Sequence, residues 1–501
     1  MAQSVDRTGP PRLTTWRDWL AVTLPATLCA TLAGVTAAQA QATGSSATNC
    51  PPGAIVVASG QSIQARVDAA GPSAQFCLER GTYRLQSVVP KNGQSFYGQG
   101  GAVLNGSSVL TSFRAEGRLW VATAADPVGI EHGDCAAPGS TCARPAGAFV
   151  DGLPLVRAGT EARLQPGQFS FDPTRNRLAL AADPAGHLIE WATTQQAFSG
   201  PATDVVLDGL VIEKYANPAQ SGAVWPGGTG WRLSALEARY NNGVGLVGGS
   251  SGVIENSNVH HNGQLGIGAG GVSGLTIRGN EVWGNNIKGF DDQWEAGGLK
   301  VAQSSNVVFS NNNVHDNLGP GLWCDESCTN VLIEANVVSG NSSAGIFYEI
   351  STNAVIRNNT LIQNDTAGQS WLWGAAIQIA ASSNVVVSGN TITVRPGGKS
   401  IMLIDQNRQQ ATGGYYQNRN DQVFGNDTTF LGDGIAGGAS DAEPGAVNYG
   451  IIQNGGNSFD FNTYHYNAGS TVSFIWGGDP IDLETFRNLG QERNGTVVLG
   501  R

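Results

Sequence analysis

Between residues 205 and 390 one short phrase recurs, and this periodicity constrains the fold more than any other feature. Apolar, mostly β-branched triplets appear at Val205-Val206-Leu207, Val253-Ile254-Glu255, Leu275-Thr276-Ile277, Val307-Val308-Phe309, Val331-Leu332-Ile333, Ala354-Val355-Ile356 and Val385-Val386-Val387. After most of them comes an asparagine in a turn: Asn258, Asn280, Asn313, Asn336, Asn359, Asn390. A second turn brings Asn262, Asn285, Asn317, Asn341 and Asn364, and then a glycine opens an apolar strand: Gly266-Ile267, Gly298-Leu299, Gly321-Leu322, Gly345-Ile346. Each unit is about 22 to 24 residues long and holds three short strands. Strands this short cannot bury a face alone, but stacked units share a continuous core. Asparagine suits the turns because it tolerates a left-handed backbone and its amide can bond the next turn. The Leu-x-x-Leu-x-Leu pattern of a leucine-rich repeat is absent.

The expected fold is therefore all-β, a right-handed parallel β-helix, with an inserted antiparallel β-rich lobe. Over roughly residues 200 to 410 the repeat resembles the pectin-lyase-like superfamily of carbohydrate-active β-helix proteins. The flanks suggest a division. Residues 41–108 form an N-terminal cap, a short helix around Ile63 and Val67, and the first rungs. Residues 109–200 lose the asparagine ladder and alternate as antiparallel strands, which reads as the lobe. Residues 201–450 carry the β-helix, and 451–501 close it, with a last short helix spaced by Leu483, Phe486 and Leu489.

Residues 1–40 carry Arg12 and Arg17, an apolar run from Leu20 to Val35, and Ala38-Gln39-Ala40, the pattern of a signal peptide. The chain is thus expected to be secreted or periplasmic, and no later segment is long and apolar enough to span a membrane. Of seven cysteines, one lies in the signal. The other six fall as close pairs, Cys50/Cys77, Cys135/Cys142 and Cys324/Cys328, read as disulfides of an exported protein. A net charge of −11 argues against a nucleic-acid partner. The expected partner is a polysaccharide or oligosaccharide, met by a monomer.

Two units break the regularity at the same phase. "NIKGFDDQWEA" follows Asn285, and "DTAGQSWLWG" follows Asn364. Both emerge just before the Gly-apolar strand, so they are expected as two walls beside a floor made by the strands between. Strand alternation sends Lys300, Trp323 and Phe347 outward in one column, and Ala302, Asp325 and Glu349 in another. Stacked carboxylates repel, so at least one should hold its proton unusually well. Asp325, Glu349, Lys300 and Glu295 are the catalytic candidates. Trp323, Trp294, Phe347, Tyr348, Trp371, Trp373 and Gln378 are the candidate sugar contacts, with Tyr348 in the inward phase.

These residues fit a glycoside hydrolase with paired carboxylates and no cofactor. The alternative is a polysaccharide lyase or uronate epimerase with Lys300 as base and Ca²⁺ held by acids, Asp291 and Asp292 first. Against it, Arg357 and Arg408 are placed elsewhere on the rungs, away from the floor. A third reading is a non-catalytic glycan-binding solenoid at a surface.

Overall fold

The computed structural model describes residues 50–126 and 130–500. The expected signal peptide lies outside the described residues, and among them no helix is long and apolar enough to cross a membrane. The chain divides into two compact units. The smaller holds Val109–Ala125 and Ala148–Glu190. Within it a five-stranded sheet runs Val156–Arg157, Gln168–Asp172, Arg177–Leu180, Leu119–Thr123, Arg114–Glu116. Its pairs are antiparallel except the short outer one, Val156–Arg157 against Gln168–Asp172, which is parallel.

The larger unit holds residues 50–108, the described part of 126–147, and 191–500. Its three parallel sheets contain thirteen, eleven and thirteen strands, each strand pairing with its counterpart one repeat away. The inward positions make unbroken apolar columns. One runs Leu246, Ile267, Leu299, Leu322, Ile346, Ile377, Ile401, all buried. The helix Ile63–Ala69, capped by the Ser62 hydroxyl, adds Ile63 and Val67 to the core at the first rungs. At the far end the helix Leu483–Asn488 buries Phe486 against Phe459, Phe474 and Trp476.

Two asparagine ladders hold the rungs in register. The second-turn ladder is as expected: Asn262, Asn285, Asn317 and Asn341 each pass an amide hydrogen bond to the next, the last to Asn364, at 2.9–3.0 Å. The first-turn ladder differs by one residue at two rungs. It runs Asn280, Asn312, Asn336, Asn359, Asn390, Asn426, Asn462, with Ser257 preceding Asn280. Asn258 and Asn313 instead begin the strands Asn258–His260 and Asn313–His315. A one-residue slip reverses the face of every side chain that follows, so the inward Val259 and Val314 fix the register.

The recurring glycine has a packing reason. A Cβ on Gly298, Gly321 or Gly345 would lie 2.6–2.7 Å from the carbonyl oxygen one rung on, and within 3.0 Å of a ladder amide nitrogen. Only glycine lets this backbone reach the ladder.

Disulfides join Cys50 to Cys77 and Cys135 to Cys142. The expected third is absent: Cys324 and Cys328 are free and buried. Cys324 points inward between Val301 and Tyr348, and the Cys328 thiol is engaged by the carbonyls of Val301 and Asp325.

Candidate active site

The candidate residues sit on consecutive strands of the eleven-stranded sheet. Gly268, Lys300, Trp323, Phe347, Gln378 and Met402 form one outward column. Gly270, Ala302 and Asp325 lead to Glu349 and Ala380 in the next. The strands Leu322–Asp325 and Ile346–Glu349 are thus neighbours, and Asp325 and Glu349 end them one residue past the paired Cys324 and Tyr348.

Lys300 ties the acids together. Its Nζ is 2.9 Å from Asp325 Oδ2 and 3.5 Å from Glu295 Oε2, donates to the Trp294 carbonyl, and lies 3.8 Å from the centre of the Trp323 ring. Lys300 is only 5 % exposed, and burial alone would favour losing its proton; Asp325, Glu295 and Glu349 outweigh this and hold its pKa above the ordinary value. Glu349 responds the other way. Burial and the neighbouring Asp325 charge push its pKa up to about 7, against the opposing pull of Arg408 and Lys300. The Trp323 indole N–H also favours the charged form, although it makes no hydrogen bond of ordinary geometry. Glu349 is followed by Ile350 at φ 37°, a strained backbone for a β-branched residue.

The two irregular segments do not stand apart as walls. Asp292 Oδ2 accepts from Gln369 Nε2 at 3.5 Å, joining them above the sheet. Trp323 and Phe347 stack at 5.2 Å and are 3 % and 8 % exposed, packed with Leu372, Ala375 and Met402. The expected aromatic floor is therefore roofed, because pairing these rings with Leu372 removes more apolar surface from water than leaving them open. Gln378 accepts from the Gly374 backbone and anchors the roof. Lys399 and Asp365 pair beneath it at 3.2 Å.

Tyr348 requires a second correction. It is fully buried in the core, where the inward phase of its strand puts it, and its hydroxyl donates to Thr352 O at 2.7 Å. It is not available to a ligand. Trp294 packs on Phe290 and edge-on to His132, beside the disulfide-closed Cys135–Cys142 loop. Trp371 is exposed and Trp373 partly covered, 6.0 Å apart on the roof. Asp291 caps its own turn through Gln293 N, and among the described residues no group of three or more acids, histidines or cysteines is placed to hold a metal ion.

Sequence reasoning missed three participants. Arg408 folds back from an aperiodic segment and pairs with Glu349, whereas Arg357 pairs with Glu334 on another sheet. Gln220 accepts from His132 and donates to Glu295 at 2.9 Å, extending the network. Trp225 lies one register step from Val247, hence in the Lys300 column. Counting back from Gly298 through Gly266 and Gly245 would have placed it.

A groove of about 460 Å³ follows this outer face from Trp225 over Gly249, Gly268 and Gly270 to Lys300, Glu295 and Glu326. Two of its lining residues adjoin Asp325, which pairs with Ala302 across the strands and precedes Glu326; Asp325 and Glu349 are each 6 % exposed and do not themselves line it.

Residues 222–392 match the family model for a right-handed β-helix region. The structure of XylC with xylose aligns with a TM-score of 0.61 at 15 % identity, covering 87 % of this chain and 82 % of that one. The larger unit is a right-handed parallel β-helix. The A-module of mannuronan C-5 epimerase AlgE4 from Azotobacter vinelandii aligns at a TM-score of 0.44 and 12 % identity, covering 87 % of this chain and 92 % of that one. PfbA, a surface adhesin of Streptococcus pneumoniae, aligns at 0.48 and 12 %, covering 86 % and 96 %. At these identities the likeness concerns fold alone. No curated protein matches the sequence.

Proposed function

We propose that this β-helix is an exported carbohydrate-active enzyme, a glycoside hydrolase in which Asp325 and Glu349 divide the acid and base work. The observation that carries the reading is their contrast. Glu349 keeps its proton to about pH 7, whereas Asp325 faces the Lys300 ammonium at 2.9 Å. Two carboxyl groups whose surroundings separate their roles are what glycosidic cleavage requires. Glu349 gives its proton to the glycosidic oxygen as the C–O bond breaks. Asp325 takes a proton from the water whose oxygen bonds to the anomeric carbon. Lys300 stays protonated and fixes Asp325, and Arg408 limits how far Glu349 resists ionisation.

The lyase and epimerase reading with Lys300 as base is less well supported, since that base must be neutral and the surrounding acids keep Lys300 charged. The two disulfides fit an oxidising compartment and support export. The test is a panel of neutral and acidic glycans assayed for new reducing ends and for unsaturated products. Hydrolysis predicts reducing ends without unsaturation, lost in Asp325→Asn and Glu349→Gln while the fold persists. Near-wild-type turnover in both variants would refute it.

A further inference from the structure

The outer face of the eleven-stranded sheet is asymmetric about the acid pair. On the rungs before Asp325 it is open and paved with small residues: Gly268, Gly270 and Ala302. Packing does not demand glycine at 270. A Cβ there meets nothing within 4 Å, and its backbone is not left-handed. A side chain at this point would simply stand in the groove. On the rungs after Glu349 the same face is shut. Ala380 and Ile404 continue the acid column and are fully buried in a cluster with Leu372, Ala439 and Ile475. The groove therefore lies on the side before Asp325 and ends at Ala302 and Glu326, next to that acid.

Its chemistry narrows the occupant. Trp225, 41 % exposed, offers an aromatic face at the far end, three rungs or about 14 Å from Lys300. Glu295 and Glu326 line the groove, while the one lysine is already met by Asp325 and Glu295. Residual negative charge repels uronates and accepts neutral hydroxyl-rich rings.

We propose that this groove receives the end of a neutral glycan chain. The terminal sugar stops against Lys300 and the acid pair, and the following rings run back over Gly268 and Gly270 to Trp225. This deepens the hydrolase reading, on which it rests for what happens at the acids: cleavage then proceeds from a chain end.

The experiment measures binding to the full chain, with labelled xylo-, cello- and malto-oligosaccharides as probes. Unlabelled oligomers, long polymers of the same sugars and oligogalacturonides serve as competitors. The expected result is that one neutral series competes in proportion to its number of chain ends rather than its mass. Trp225→Ala and Gly270→Phe should each weaken it at least tenfold. Equal competition by polymer and oligomer at equal mass would overturn the proposal. So would preference for the galacturonides, wild-type binding in both variants, or no binding in any neutral series. End-binding without release of reducing ends would refute hydrolysis and leave the groove assignment standing. Release of mixed internal lengths would keep hydrolysis and overturn action from an end.

Discussion

Replacing Glu349 by glutamine removes one buried titration while keeping the side chain's shape, and the structure sets the size of the effect. The carboxyl is buried, with its pKa raised from 4.5 to about 7, first by burial and then by Asp325. At about 1.4 kcal/mol per pH unit, the charged form costs the folded state about 3 kcal/mol. The sign follows from proton binding. Between pH 4.5 and 7 the folded protein holds a proton that the unfolded chain has released, so this site's contribution to stability is full below 4.5 and lost as pH rises to 7. The Gln variant has no such loss. Unfolding by urea, followed by circular dichroism at a series of pH values, should show wild type and Glu349→Gln alike near pH 4. They should separate progressively to about 3 kcal/mol in favour of the variant, with no further change above pH 7 to 8. Asp325→Asn should shrink the separation without abolishing it, because burial is the larger cause. A difference independent of pH would refute the reasoning, and with it the assignment of Glu349 as the proton donor.

Lys300→Met should leave Asp325 facing Glu349 without the intervening charge, costing about 3–5 kcal/mol and moving the Glu349 titration further up; unfolding and the pH profile of turnover both report it. Asn336→Ala should cost about 3 kcal/mol or more. It deletes amide bonds to Phe309 O, Glu334 O and Asn359 and leaves the Asn312 backbone N–H without its acceptor. Asn313→Ala, at a half-exposed strand start, should change the unfolding midpoint little; equal losses would mean the ladder register is wrong.

The fold was legible because its causes are periodic. Triplets, turn asparagines and the glycine before the third strand each repeat once per rung, and each answers a separate physical demand: core filling, backbone satisfaction and close approach to the ladder. The ladder error has the same origin. At Asn311-Asn312-Asn313 three identical residues meet three different demands, a left-handed turn, a ladder position and a strand start. Composition cannot separate them, whereas the strict alternation around Val314 can.

At the site, the acid column could be read because register alone determines it. What covers that column could not. Whether Trp323 and Phe347 lie open or buried depends on where Leu372 and Gln369 fold, and those belong to segments without a period. Arg408 approaches Glu349 in the same way, from a stretch whose sequence contains no rung. Burial then changes what the carboxylates are. An open pair on a solvated floor would differ little from ordinary acids. Beneath the roof, desolvation is the largest influence on Glu349, and Lys300 becomes the partner that keeps Asp325 tolerable in the same low-polarity space. The irregular segments thus put a column of side chains laid down by the repeat under cover, where burial and the Asp325 charge raise the Glu349 pKa. The rungs before Asp325, with Gly268, Gly270 and Ala302 on strands the repeat alone sets, stay outside that cover.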